Sequence, residues 1–273
     1  MYDANWDWAI NLSDVEYLLK TWKWKNKLTL LKWDWDFRSE ESINLLKQSD
    51  IIVTNPPFSL FREYVAQLMK YEKKFLILWN MNAITYREIF PLLQRNQIWT
   101  WYWFNMSMVY KTPYENTLEQ NRKFVKSKWY DPDKNFIKVP SVNRYTNLDT
   151  QKRHEDLILY KHYNPEEYPK YDNYNAINVD KVSEIPCDYD WFIWVPITFF
   201  DKYNPEQFDI IWQWQWNLYR ELSDYWLSQQ FVDDYYKSGQ KWSIKADHPV
   251  LWYYDKNHIP VIPYMRIIIR RKK

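Results

Sequence analysis

A chain of 273 residues that contains a single glycine must build nearly all of its tight turns from residues that carry a Cβ. At the usual share of about 7%, such a chain would hold ~19 glycines. This one holds Gly239 alone, alongside 19 tryptophans. Turn and cap positions with positive φ cost a residue with a side chain roughly 1–2 kcal/mol each. The tryptophans stand where such turns are wanted. Trp33-Asp34-Trp35-Asp36 and Trp212-Gln213-Trp214-Gln215-Trp216 alternate as glycine-rich loops do, between periodic segments. Asp3, Asn5, Asp7, Asn11 and Asp14 have the spacing of calcium-loop ligands. Trp8, however, fills the sixth place, where that loop needs glycine, and Asp14 stands where it needs a bidentate glutamate, so a polar surface loop is the simpler reading.

Two explanations compete. The tryptophans replace glycines of a parent sequence, as when the codon UGA is translated with the wrong meaning, or the chain is a true tryptophan-rich stacking protein. Replacement accounts for the turn placement. It predicts positive φ, or projection into solvent or a cleft, at Trp33, Trp35, Trp79, Trp101, Trp103, Trp212, Trp214 and Trp216. Trp99, in a strand pattern, is the expected native exception.

Charge and cysteine usage exclude several classes. A net charge of +2 rules out a polycation, so any nucleic-acid site is a local patch. Arg122, Lys123, Lys126 and Lys128 form one basic segment, and Arg266, Arg270, Arg271, Lys272 and Lys273 another. Each also reads as a solvated face or a tail. A lone cysteine, Cys187, forms no internal disulfide, and the four histidines have no zinc spacing, so no metal site is expected. No apolar run reaches the ~18 residues of a membrane span, and no signal-peptide pattern opens the chain. Cytoplasm is the expected compartment.

Hydrophobic periodicity alternates between strand and helix through the first two-thirds. Helices are expected at Asp14–Lys20, from Ser39 through Lys47, at Ser59–Lys73 and at Ala83–Arg95. Strands are expected at Lys27–Leu31, Asp50–Thr54, Phe75–Leu78 and Ile98–Phe104. Short links between these elements imply right-handed crossovers and a mainly parallel sheet. Later strand candidates are Phe136–Val139, Leu157–Tyr160, Phe192–Phe199 and Met265–Ile269.

One tetrapeptide carries chemistry. Asn55-Pro56-Pro57-Phe58 follows the apolar run Ile51-Ile52-Val53, read as a buried strand, and precedes a helix. The prolines stiffen the backbone, so the Asn55 amide and the Pro56 carbonyl present two acceptors in fixed geometry. That suits an exocyclic amine, which donates two hydrogen bonds. Phe58 can stack on a base extruded from its duplex. The plain alternative is a strand stopped by a proline turn.

The segment from Ser49 through Asn55-Pro56-Pro57-Phe58 to Gln67 resembles the EcoRI-type family of adenine-specific DNA methyltransferases. Trp33–Ser39, Asn80–Phe90, Thr146–Glu155, Val195–Phe208 and the Arg-Arg-Lys end extend the resemblance over nearly the whole chain. It implies an α/β fold: a Rossmann-like methyltransferase sheet, mainly parallel with helices on both faces, and an appended mixed recognition region. The catalytic core would span residues 1–140; residues 141–273 would hold the remaining core strands and the target-recognition region. It further implies S-adenosylmethionine as methyl donor, double-stranded DNA as partner and methyladenine as product, leaving the oligomeric state open. Asn55, Pro56, Pro57 and Phe58 carry over as the catalytic set. Asp34, Asp36 and Phe37 are candidates for donor contacts; a loop and helix start is their structural alternative. The family has glycine at Trp33, Trp35, Trp79, Trp101, Trp103, Trp191 and Trp194. Relatives also carry N-terminal Asp-Glu-Phe-Tyr-Thr-Gln-like and Asn-Cys-Asp-Asp-Pro-like sequences that are not found here, so the expectation is a truncated core lacking its first strand. Two other functions remain open: a catalytically silent DNA-binding remnant, and a protein-glutamine amide methyltransferase.

Overall fold

The computed structural model describes residues 17, 36–102, 104, 107–114, 119–139, 141–213, 227–246, 250–263 and 266–272. The calcium-like loop, the strand expected at Lys27–Leu31, Asp34 and, apart from Tyr17, the helix expected at Asp14–Lys20 lie outside them. Residues 1–49 and 50–273 are separate units. In the first, α1 (Glu40–Gln48) begins where expected. The Ser39 hydroxyl accepts the Ser42 N–H at 3.1 Å, and acidic residues in the first turn with Lys47 in the last complement the helix dipole.

The second unit is a mixed α/β structure with several sheets. Its first sheet has the order β1 (Ile51–Thr54), β2 (Lys74–Asn80), β6 (Val142–Thr146), β3 (Trp99–Thr100). β1 and β2 are parallel, with Ile51 opposite Lys74 and Thr54 opposite Ile77. β6 runs antiparallel to both β2 and β3, so the other three strands share one direction and β6 alone is reversed. The alternation of β2 buries Phe75, Ile77 and Trp79. Over this sheet lies α2 (Phe61–Lys70), which buries Phe61, Val65 and Leu68 at helical spacing.

Several expectations shift. Ile51–Val53 is a strand but not a buried one: Ile51 is 50% and Val53 71% exposed. Among the described residues β1 pairs with β2 alone, and its face with Ile51 and Val53 is exposed. The helix expected at Ala83–Arg95 divides into a 3-10 turn at Met81–Thr85 and α3 (Phe90–Gln94). Tyr86 is extended, and Pro91 fits only the first turn of a helix. The strand expected at Ile98–Phe104 contracts to Trp99–Thr100, with the Trp101 N–H adding one more bond to the Arg144 carbonyl. Leu157–Tyr160 joins no strand.

Between β3 and β6, β4 (Met108–Lys111) and β5 (Phe136–Val139) form an antiparallel pair, connected through α4 (Glu119–Ser127). The second four-stranded sheet has the order β7 (Ala176–Asn178), β8 (Phe192–Pro196), β12 (Arg266–Arg271), β9 (Phe208–Gln213). Only β7–β8 is parallel in it. β8 stops at Pro196, where the missing N–H ends pairing. Its core gathers Tyr171, Ala176, Trp194, Leu251, Tyr253 and Ile268. α5 (Gln229–Lys237) packs Phe231, Val232 and Tyr235 against Leu227 and Val250. The pair β10 (Tyr253–Tyr254) and β11 (Pro260–Val261) completes the unit. Among all these pairings antiparallel ones predominate.

The tryptophan test set divides as well. Trp33, Trp35, Trp103, Trp214 and Trp216 lie outside the described residues. Trp79 is buried in β2, while Trp101 and Trp212 are half-buried, and none of the three has positive φ. A strand interior holds φ negative whatever residue occupies it, so Trp79 and Trp212 lack the expected backbone signature, and Trp101, just past β3, lacks it too. The signature occurs instead at Trp129, with φ 65° and 98% exposure.

Candidate active site

Asn55 leaves β1 at the edge where both parallel strands end. In open α/β sheets, ligands gather at this carboxyl edge. The Asn55 side chain is exposed, Pro56 is buried and Pro57 is exposed. Pro57 (φ −57°, ψ 136°) opens a 3-10 turn at Phe58–Leu60, closed by the Leu60 N–H on the Pro57 carbonyl at 3.0 Å. Neither proline can donate to a strand ladder, so pairing stops and the chain turns directly into α2. Phe58 begins this turn, and its side chain lies outside the described atoms.

An aromatic floor supports the turn. Phe61 stacks on Trp79 at 4.4 Å and 6°, with the rings of Tyr145 and Tyr86 at 5.8 and 6.4 Å. The Tyr145 hydroxyl reaches the carbonyls of Asn80 and Met81, at 3.1 and 3.0 Å, and so braces the chain leaving β2. Burial pushes the Tyr145 pKa well above its ordinary value, which keeps the group a donor. The Asn80 amide oxygen accepts the Asn82 N–H at 2.8 Å and fixes the adjoining turn. Beside Phe61, a cleft of about 590 Å³ is lined by Ser59, Arg62, Ala66, Tyr86 and Glu88. The Arg62 guanidinium lies 4.6 Å from the Tyr86 ring centroid and 3.6 Å from Glu88. Tyr145, Tyr86 and Arg62 were not legible as site residues, because they come from segments that meet only in the folded sheet.

Comparison with known proteins identifies the family of the chain. The family model described as "Adenine-specific methyltransferase EcoRI" matches residues 1–272. The chain belongs to that family. Its relatives include the Type II methyltransferase M.EcoRI of Escherichia coli, 50% identical over 184 residues, which are 65% of this chain and 54% of the relative. Type II methyltransferase M.MpnI of Mycoplasma pneumoniae is 40% identical over 186 residues, 64% of this chain and 55% of the relative. A third, M.MgeORF184P of Mycoplasma genitalium, is 38% identical over 191 residues, 67% and 58% of the two chains. The alignments span little more than half the length of each relative. No solved structure matches the chain.

Membership in the EcoRI methylase family implies a methyl donor of the S-adenosylmethionine type. Of the candidate donor contacts, Asp34 lies outside the described residues. Asp36 is engaged within its own turn: its two carboxylate oxygens take the Arg38 backbone N–H at 2.9 Å and the guanidinium at 2.9–3.3 Å. These hydrogen bonds lower its pKa. Phe37 lies beneath the same guanidinium, 5.5 Å from it. Three Arg38 N–H groups thus occupy most of the roughly four lone-pair sites of this partly exposed carboxylate.

A second cluster escaped the sequence reading. His162, Cys187 and Asp188 each offer a donor atom, all within 4.8 Å of one another. The Cys187 Sγ (3.7 Å) and an Asp188 oxygen (3.0 Å) face the same His162 Nδ1. A nucleophile relay needs both ring nitrogens, so this is not one. Three donors around one exposed point could at most hold a cation with water completing its shell. No helix of the described residues is long and apolar enough to cross a membrane.

Proposed function

We propose that this chain performs the substrate-orienting part of S-adenosylmethionine-dependent methylation of the adenine amino group in duplex DNA. The observation that carries the reading is the exposed Asn55, followed by two prolines, at the carboxyl edge of the parallel β1–β2 pair. Relatives named Type II methyltransferases support the same substrate class.

In this reading the Asn55 amide oxygen and the Pro56 carbonyl accept the two N–H bonds of the extruded adenine amine. The nitrogen's lone pair is thereby drawn out of conjugation with the ring and directed at the incoming methyl group. This is catalysis by orientation and fixed dipoles. The donor, when bound, supplies an electrophilic methyl group. Phe58 stacks on the flipped base, a contact worth ~1–3 kcal/mol. β1, β2, β3 and the reversed β6 are read as part of the methyltransferase sheet.

Asn55→Ala tests the reading. It removes one amine acceptor, and methyl transfer to an adenine-containing duplex should fall on the order of 10²–10³-fold. Duplex affinity should stay within a factor of about two, because no phosphate contact is lost. Unchanged transfer would reject the role. Transfer to a glutamine-containing peptide with none to DNA would favour the amide-methyltransferase alternative.

A further inference from the structure

We infer that segment 101–141 grips the phosphate backbone of the DNA duplex at the edge where Asn55 lies. The inference rests on the reading of the chain as a DNA-modifying enzyme, and adds to it the element that holds the partner. Sheet topology places this element. β3 ends at Thr100, running in the same direction as β1 and β2. β6 begins at Val142, opposite Asn80 at the end of β2. The 41 residues between therefore leave and re-enter the sheet at one edge, the edge from which Asn55 emerges.

Charge is concentrated there. Residues 101–141 hold seven basic and four acidic side chains, an excess larger than the +2 of the entire chain. Some of this charge is neutralised locally. Arg122 pairs with Asp133, Lys123 with Glu119 and Lys134 with Asp131. Lys111, Lys126 and Lys128 are exposed and have no carboxylate partner among the described residues. Aromatic groups accompany them. Tyr110, Tyr114 and Tyr130 are all exposed, and the Phe124 ring carries Lys138 at 4.3 Å and Lys128 at 5.9 Å. Tyr110, Lys128 and Tyr130 share with Arg144 of β6 a surface cleft of about 480 Å³, so the basic face is continuous with the sheet. Unpaired lysines beside phenol hydroxyls suit phosphate and sugar oxygens, contacts that set register without reading bases. A solvated helix face would explain the charge alone, but not its placement at this edge together with exposed tyrosines.

The test is duplex binding by fluorescence anisotropy over a range of salt, using the full chain and a short adenine-containing duplex. K111Q/K126Q/K128Q should reduce the slope of log affinity against log salt by about three, roughly one per phosphate contact, with at least a tenfold loss of affinity. K237Q/K241Q/K256Q, equally exposed but elsewhere, should keep the parent slope. Circular dichroism checks that both variants retain the fold. If the parent binds and the first variant keeps its slope, the grip is overturned while the DNA reading stands. If the parent chain binds no duplex, both fall together.

Discussion

Trp129 is the residue at which the chain's composition and its backbone collide. After α4, the Tyr130 N–H bonds the Val125 carbonyl at 3.2 Å and the Trp129 N–H bonds Lys126 at 3.0 Å. That pair of bonds ends a helix with a left-handed residue, usually glycine. The same ending recurs at Glu72 (φ 51°) and Asn96 (φ 57°), and Gly239 (φ 84°) follows α5. Gly239 suits the conformation without strain and Asn96 tolerates it, whereas a tryptophan does not. Trp129→Gly should therefore stabilise the protein by roughly 1–2 kcal/mol, since the ring is almost wholly exposed and its loss uncovers nothing. A higher urea midpoint at unchanged slope is the expected result; a lower one would show the indole to be native. The buried indole nitrogens of Trp194 and Trp252, which have no hydrogen-bond partner among the described residues, point the same way. A core shaped around tryptophan usually supplies one.

At the scale of elements, proline and hydroxyl placement decides where strands end beside the site. Pro56 and Pro57 stop β1 and Pro196 stops β8 for want of an N–H, while Pro91 sits in the first turn of α3, where none is needed. The end of β2 has no proline, and the Tyr145 hydroxyl from β6 holds it instead. Tyr145→Phe leaves the Asn80 and Met81 carbonyls without that donor and should cost about 1–2 kcal/mol. Faster amide exchange should be confined to the Asn80–Thr85 turn, and uniform loss across the sheet would contradict the local role. The strands at β1 and β2 and the helices α1 and α2 were legible from periodicity and capping. The breaks at Tyr86 and after Thr100 were not, since the apolar periodicity runs on through both.

At the scale of the second unit, its two four-stranded sheets are tied by polar contacts as well as by packing. Gln94 of α3 donates to the Ile211 carbonyl of β9 at 2.6 Å, and Thr100 donates to the Phe200 carbonyl at 3.3 Å. Lys152 meets Asp201 at 2.7 Å, each side chain 23% exposed, and the Phe104 N–H bonds the same carboxylate at 3.2 Å. This pair lies between the exposed and buried regimes, so Lys152→Met should cost roughly 1–2 kcal/mol. A double-mutant cycle with Asp201→Asn isolates the pairwise part. Zero coupling would show that this ion pair adds nothing to the joining of the sheets.

The residue order by itself determined the motif, the parallel β1–β2 unit that presents it, the capped helix before it and the family. Each rests on neighbours in sequence: two prolines after an apolar run, apolar positions at helical spacing, a serine before a first turn. Tertiary structure alone decided that β6 runs backwards between β2 and β3, that Tyr145 braces the sheet edge from which Asn55 emerges, and that a basic insertion leaves and returns at that edge. It also decided that Trp79 stacks on Phe61 in a core while Trp129 stands in solvent. The physical reason is common to these cases. Direction, exposure and partnership belong to pairs of residues far apart in the chain, such as Asn80 and Val142, and a local pattern carries no record of which distant strand will lie alongside.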